Sequence, residues 1–352
     1  MVEIFRYVLA AMVAQTHLWS SETDWTGQIA VFAFYTLSGY LMVRVINERY
    51  GFTARGRAIF LLNRVLRIWP AYLVLMGMTL IALRFLPLTS VFSLIRTPAT
   101  PAEIITNLLL LGQATFDFRQ WIPMAKPLVT SWSLSVEMAS FVLLALYFGR
   151  SASRIWLYAA IGVAAMIIST GWCMLSRDPI YGPYCFQNRY GVVQAGFVPF
   201  ACGGLFYFHR QAISGWIQRH SLVAIGMLVV AFLAQFLDRR LAFTVGTYIG
   251  IPLTWVMLSC APQKRVSRLE DFFGRASYHL FLGHMPMAAV LVTGLFFRAG
   301  SLPTFGVTVL AMLALSGLLV PMEWRINALR QRMVGRATHP ASGRFAELLT
   351  KL

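Results

Sequence analysis

RYVLAAMVAQTH, residues 6–17, decides how this chain is read. It has the apolar density of a membrane helix, yet an Arg opens it and a His closes it. A charged or titratable group in bilayer hydrocarbon is costly, so one that persists there sits near an end or serves a function. Arg6 and His17 are eleven residues apart. At about 100° per residue they lie roughly 20° beyond three full turns, on nearly one face and about 16 Å apart along the axis. Two readings stand at this point. Arg6 is a topology anchor and His17 an interfacial residue beside Trp19, or both face a functional path.

Working outward, the rest of the chain is of the same kind. Its 352 residues are 58% hydrophobic and only 12% charged, too apolar for a soluble core of this size. Apolar runs of spanning length recur near 4–20, 27–46, 69–86, 131–148, 155–172, 191–208, 221–237, 242–260, 277–297 and 303–324. This predicts an all-α polytopic membrane bundle of about ten spans. The segment 103–113 is too short to cross and reads as a half-helix or buried loop. With the N-terminus inside, 21 of the 30 Lys and Arg fall in cytoplasmic segments, so both termini are expected in the cytoplasm. Residues 1–325 form the transmembrane domain on this reading, and 326–352 a basic cytoplasmic tail. No small-residue cleavage site follows Gln15, Thr16 and His17, so the first helix is expected to stay.

The net charge of +17 does not point to nucleic acid, because the basic residues lie between apolar runs as topology signals do. Cys202 and Cys260 fall in spans. Cys173 and Cys185 flank an outer loop, CMLSRDPIYGPYC, where a disulfide and two separate thiols are both open. No Cys/His spacing reads as a metal site.

Three further stretches carry chemistry. In SWSLSVEM, residues 131–138, Glu137 lies about two turns into an apolar helix that starts from the outer surface. That depth matches His17, and a His–Glu pair would resolve both anomalies. The Glu would orient the imidazole for general-base work on a hydroxyl. The alternative is a Glu137 bonded to another polar group for packing. In NRVLRIWPAYL, residues 63–73, Arg64 and Arg67 share a face at i, i+3 before Trp69 and Pro70 mark bilayer entry. Two guanidiniums there suit a multiply phosphorylated ligand, and serve the positive-inside bias equally well. In TLSGYLM, residues 36–42, the pair Ser38 and Gly39 reads as close helix packing. In SYHLFLGHMP, residues 277–286, His279 reads as structural, and His284 as deeper and more open. His209, His220 and His339 read as solvated.

Taken in order, these motifs resemble the acyltransferase-3 family of integral-membrane O-acyltransferases. That family carries Arg, ten residues, then His in its first helix, as Arg6 and His17 do. FAFYTLSGYL, RVLRIWP, WSLSVE and LGHMP match its later motifs in sequence. Phe32 stands where the family often has an Asp, so no acidic role is expected in that helix. The resemblance implies an acyltransferase for groups other than aminoacyl. It implies acetyl-CoA or another acyl-CoA as donor at the cytoplasmic side, with no metal. It implies as acceptor a hydroxyl of an exported or lipid-linked saccharide at the outer face of a bacterial cytoplasmic membrane. His17 and Glu137 become the catalytic candidates, and Arg64, Arg67 and Arg6 the donor-binding ones. His284, Trp132 and Ser133 are further site candidates. Membrane lipids and acyl-CoA are expected partners, nucleic acid is not. Acylation of a small molecule or lipid, or transport of a lipid-linked saccharide, are the alternatives. No internal symmetry of the transporter kind stands out.

Overall fold

The computed structural model describes residues 1–19, 25–114, 125–175, 183–238, 240–241, 245–261 and 266–338. The middle of the outer loop 173–185, residues 115–124, the first residues of the expected span 242–260, Lys264, Arg265, and the tail beyond Thr338 with His339 lie outside the described residues.

Among the described residues the chain is all-helical, and it is an integral membrane protein built from α1 (Val2–Leu18), α2 (Thr26–Val45), α3 (Ala54–Phe85), α4 (Pro101–Leu109), α5 (Trp132–Leu146), α6 (Ala152–Leu175) and α7 (Pro183–Tyr190). These continue into α8 (Phe197–Phe208), α9 (Arg210–Arg219), α10 (Ser221–Leu237), α11 (Gly250–Cys260), α12 (Arg268–Leu295) and α13 (Leu302–Thr338). Helices are the expected outcome, since a chain in lipid must satisfy its backbone N–H and C=O groups internally. Six segments are long and apolar enough to cross a membrane, seven if α9 and α10, bent by 87° at His220, count as one. Each of the ten expected spans falls on a helix. Five of them, on α1, α5, α8, α10 and α11, lie on helices of 17 residues or fewer.

Contacts along the axes fix relative direction. Met1 pairs with Glu270, Tyr7 packs on Phe273, and His17 meets His284, so α1 and α12 run parallel. Tyr278 donates to the Ile68 carbonyl at 3.0 Å, which sets α3 beside α12. α2 returns antiparallel to α1, pinned where Thr26 donates to Gln15 Oε1 at 2.8 Å and the Gly27 N–H to Thr16 Oγ1 at 2.8 Å. Arg6, Arg64, Arg67 and Arg275 therefore gather toward one side, the one that charge bias assigns to the cytoplasm.

Two departures from expectation matter for the site. First, α3 starts at Ala54, fifteen residues before the expected span, so Arg64 and Arg67 ride on a continuous helix. At 32 residues it is about 48 Å long, more than a bilayer core of about 30 Å needs. Second, the segment before α5 dips into the protein. A capping box of Thr100 and Glu103 starts α4, and its far end hangs on the middle of α3. Tyr72 there donates to the Asn107 carbonyl and Trp69 to the Leu108 carbonyl, both at 2.8 Å. The chain then returns through buried Lys126, Thr130 and Ser131, and Thr130 donates to the Phe281 carbonyl at 2.9 Å. Nine residues cannot span, so the half-helix expectation for 103–113 stands as α4. The consequence is that α5 begins level with the middle of α12, not at the outer surface.

Glu103 holds this dip closed. Its carboxylate accepts from the N–H groups of Ala99 at 2.8 Å, Thr100 at 3.2 Å and Ala125 at 3.1 Å. Those backbone donors hold its pKa below the ordinary carboxylate value. A depressed carboxyl contributes stability above its unfolded pKa that is lost as pH falls through the folded one. Hydrogen exchange at the Ala125 amide, measured against its intrinsic rate, is therefore expected to accelerate below about pH 4, near the ordinary Glu pKa. In Glu103→Gln it should be fast already at neutral pH. Equal protection at all pH values in both proteins would sink the clamp.

α2 packs on α8 through glycines. A Cβ on Gly39 would strike the Phe200 carbonyl, and one on Gly203 the Thr36 carbonyl. The packing reading of Gly39 is thus what the structure shows. Gly39→Val should cost at least the 1–3 kcal/mol typical of overpacking. Thermal unfolding of the solubilised protein reads this out, and an unchanged midpoint would refute the close approach.

Candidate active site

His17 occupies the last turn of α1, where Thr16 and Gln15 are tied to the start of α2. His17 itself is exposed to solvent. Its Nδ1 stands 2.9 Å from Nε2 of His284, with the two rings 12° from parallel. His284 is fully buried, not open as its position suggested, and its own Nδ1 stands 2.9 Å from the Leu280 carbonyl.

These contacts fix the tautomers. A carbonyl only accepts, so His284 Nδ1 carries hydrogen and, in the neutral ring, its Nε2 is a lone pair. His17 Nδ1 must then donate to it. Neutral His17 is left with a lone pair on Nε2, the atom a general base needs. The relay runs Leu280 O, His284, then the exposed His17.

Glu137 is elsewhere. The expectation that it meets His17 assumed that α5 starts at the outer surface. Because α5 starts deep, Glu137 lies five residues further on, about 7.5 Å toward the basic side. There it accepts a hydrogen bond from Ser38 of α2. Arg6, Arg67 and Arg64 are all within electrostatic reach of its carboxylate. Arg6 Nη1 is 3.2 Å from Glu3 Oε2. Arg64 is buried, with its guanidinium 5.6 Å from the Phe60 ring, while Arg67 is exposed. The structure thus gathers the three arginines around Glu137 and sets His17 apart with His284.

The remaining candidates divide. Trp132 is partly exposed, edge-on to Tyr190 with ring centres 5.1 Å apart. Ser133 is buried and donates to the Thr130 carbonyl at 2.9 Å, which stabilises the first turn of α5. His279 is structural: Nδ1 contacts Ser316 Oγ and Nε2 contacts Glu323, each at 3.0 Å, and Arg275 joins the same carboxylate at 3.3 Å. Cys173 and Cys185 form a disulfide, with Cα atoms 5.5 Å apart, at the end of α6 remote from the basic side.

Sequence reasoning missed two roles. Ser38 was read as packing, although a hydroxyl in an apolar helix also signals a hydrogen bond to a neighbouring helix. The partner of His17 was sought among carboxylates, although another imidazole can equally orient a ring.

The model of one family, described as an acyltransferase domain, matches residues 3–320 of the chain. No curated protein and no solved structure matches it.

Proposed function

The chain belongs to the acyltransferase-3 family, whose model covers all but its two ends, and from that premise we propose that it carries an acyl group from cytoplasmic acyl-CoA to a hydroxyl at the outer face. Acetyl is the proposed group, and an exported or lipid-linked saccharide the proposed acceptor, in a bacterial cytoplasmic membrane. The observation that carries the reading is the His284–His17 relay, which leaves the lone pair on Nε2 of a solvent-exposed His17.

In this reading His17 Nε2 takes the proton of the acceptor hydroxyl as its oxygen attacks the thioester carbonyl. The new C–O bond forms, the C–S bond breaks, and the proton passes from His17 to the departing CoA thiolate. Arg64, Arg67 and Arg6 receive the donor's phosphates. The 16 Å between Arg6 and His17, an estimate from helix rise, leaves room for an extended arm between phosphates and thioester. Glu137 acts as counter-ion to the arginines, held by Ser38, and not as the partner of His17.

The test is transfer by purified protein in lipid nanodiscs, supplied with radiolabelled acetyl-CoA and with glycans extracted from its host. Ester-linked label on the glycan supports the reading. Movement of glycan lipid without any label transfer would sink it. Arg64→Ala and Arg67→Ala should each raise the donor KM by about ten- to a hundredfold, the scale of one charge-assisted hydrogen bond, with kcat changing less. Unchanged donor KM in both variants would remove the arginines from the donor site.

A further inference from the structure

Acyl transfer from a thioester puts negative charge on the carbonyl oxygen. As the acceptor oxygen attacks, the C=O π pair moves onto that oxygen, and it returns when the C–S bond breaks. A fixed donor aimed at the oxygen between those events is often the largest single contribution to such a reaction. His17 is the base in the reading above, and Arg6 lies about 16 Å from it along α1. Neither fills this role.

A buried cation lies elsewhere in the bundle. Lys126, on the return of the dip before α5, is 6% exposed. Its Nζ donates to the Gln113 carbonyl at 3.1 Å. Among the described residues no carboxylate pairs with it, and no charged group stands within electrostatic reach. Glu103, nearby in the same dip, is committed to the N–H groups of Ala99, Thr100 and Ala125. An ammonium has three N–H bonds, and this one spends one of them on Gln113. A carbonyl does not balance its charge, and an unbalanced cation inside a membrane protein is costly enough to be a functional candidate by default.

The neighbours of Lys126 fix its depth. Gln113 Oε1 accepts from Ser131 Oγ at 2.5 Å, and Gln113 Nε2 stands 3.5 Å from the Tyr72 hydroxyl. Tyr72 is one turn beyond Ile68, whose carbonyl binds Tyr278, and Leu75 packs at Gly283. Thr130, next to Ser131, donates to the Phe281 carbonyl. The backbone of Lys126 itself bridges to Ile95, which packs in one cluster with Met285. Lys126, Gln113, Ser131 and Tyr72 therefore lie against residues 281–285 of α12. That is the turn from which His284 reaches His17.

We propose that Lys126 turns its remaining N–H bonds to the thioester oxygen and stabilises the negative charge formed there during transfer. This makes it a further catalytic residue, and the assignment rests on the acyltransferase reading above. The Gln113 carbonyl anchors the ammonium, and Ser131 and Tyr72 hold Gln113.

The test is steady-state transfer from radiolabelled acetyl-CoA by the full chain in nanodiscs, at equal amounts of folded protein. Lys126→Met keeps the length of the side chain without a donor. Lys126→Gln can still donate to the Gln113 carbonyl but carries no charge, so it keeps the fold and decides the matter should the Met variant not fold. Both should lower kcat by about 10²- to 10³-fold, the usual loss for one oxyanion donor, with the donor KM changed by less than about threefold. In Lys126→Ala, added ethylammonium should restore turnover by at least about tenfold, and tetramethylammonium, which has no N–H, should not. Folded Lys126→Gln working within about threefold of the unaltered protein would overturn the proposal alone, as a merely structural lysine would allow. So would a loss confined to the donor KM, or equal effects of the two ammonium ions. No ester-linked label from the unaltered protein would overturn the acyltransferase reading and the proposal with it, so the two failures are distinguishable.

Discussion

His17→Ala lowers acyl transfer by about 10²- to 10⁴-fold, the usual contribution of a positioned general base. At about 1.4 kcal/mol per factor of ten, that is roughly 3–5 kcal/mol of transition-state stabilisation. The loss should fall on kcat. The arginines proposed to receive the donor lie toward the opposite end of α1, so the donor KM should hold. Folding should be little affected, because His17 is solvent-exposed and the end of α1 is tied to α2 by Gln15 and Thr16 instead. His17→Gln keeps a polar side chain of similar reach but no base, and should be as inactive as His17→Ala. Rates are compared at equal amounts of folded protein, with labelled acetyl-CoA at saturation. Turnover by His17→Ala at the level of the unaltered protein would end the general-base assignment.

How far was this site legible in the sequence? The apolar helices were, because runs of apolar residues are a local property. Even so, α3 begins fifteen residues before its apolar run. Its first turns, ARGRAIFLLNR, carry charge and resemble a polar loop by composition. The candidate site residues were visible as anomalies: Arg6, His17, Glu137, Arg64 and Arg67 are ionisable groups in or beside apolar helices. Their grouping was not. Pairing Glu137 with His17 required knowing where α5 starts, and that depends on hydrogen bonds between distant segments, such as Thr130 to the Phe281 carbonyl and Tyr72 to the Asn107 carbonyl. Nothing in SWSLSVEM records them. His284 lies 267 residues from His17, and no periodicity relates two positions on separate helices. The parallel run of α1 and α12 brings them together, and that is a property of the packed bundle.

The arrangement of charge follows from the same displacement. Had Glu137 stood beside His17, a carboxylate would have faced the base directly. Bonded to Ser38, it lies instead within electrostatic reach of Arg6, Arg64 and Arg67. His17 is left with a neutral orienter. A neutral imidazole holds the ring and its tautomer without adding a negative charge at the point where the proposed mechanism deprotonates a hydroxyl.

That division makes His284 the residue whose loss should rank next to that of His17. His284→Phe fills the same space but removes the Nε2 lone pair that receives the His17 Nδ1 hydrogen. His17 is then free to carry hydrogen on Nε2, where it cannot act as a base, and its imidazolium loses an acceptor. A wrong tautomer in a serine-protease triad costs about 10⁴-fold, and removal of a group that orients a histidine elsewhere about 10- to 100-fold. With no charged partner in this relay, kcat is expected to fall about 10²-fold, with the donor KM unchanged. His284→Gln separates positioning from packing. Its amide can donate to the Leu280 carbonyl and its oxygen can accept from His17, so it should recover most of the activity that Phe loses. A purely structural His284 would instead favour Phe, the better filler of a fully buried apolar site. The decisive measurement is kcat for the two variants at equal folded protein: Phe retaining full turnover, or Gln no better than Phe, would show that His284 does not set the state of His17.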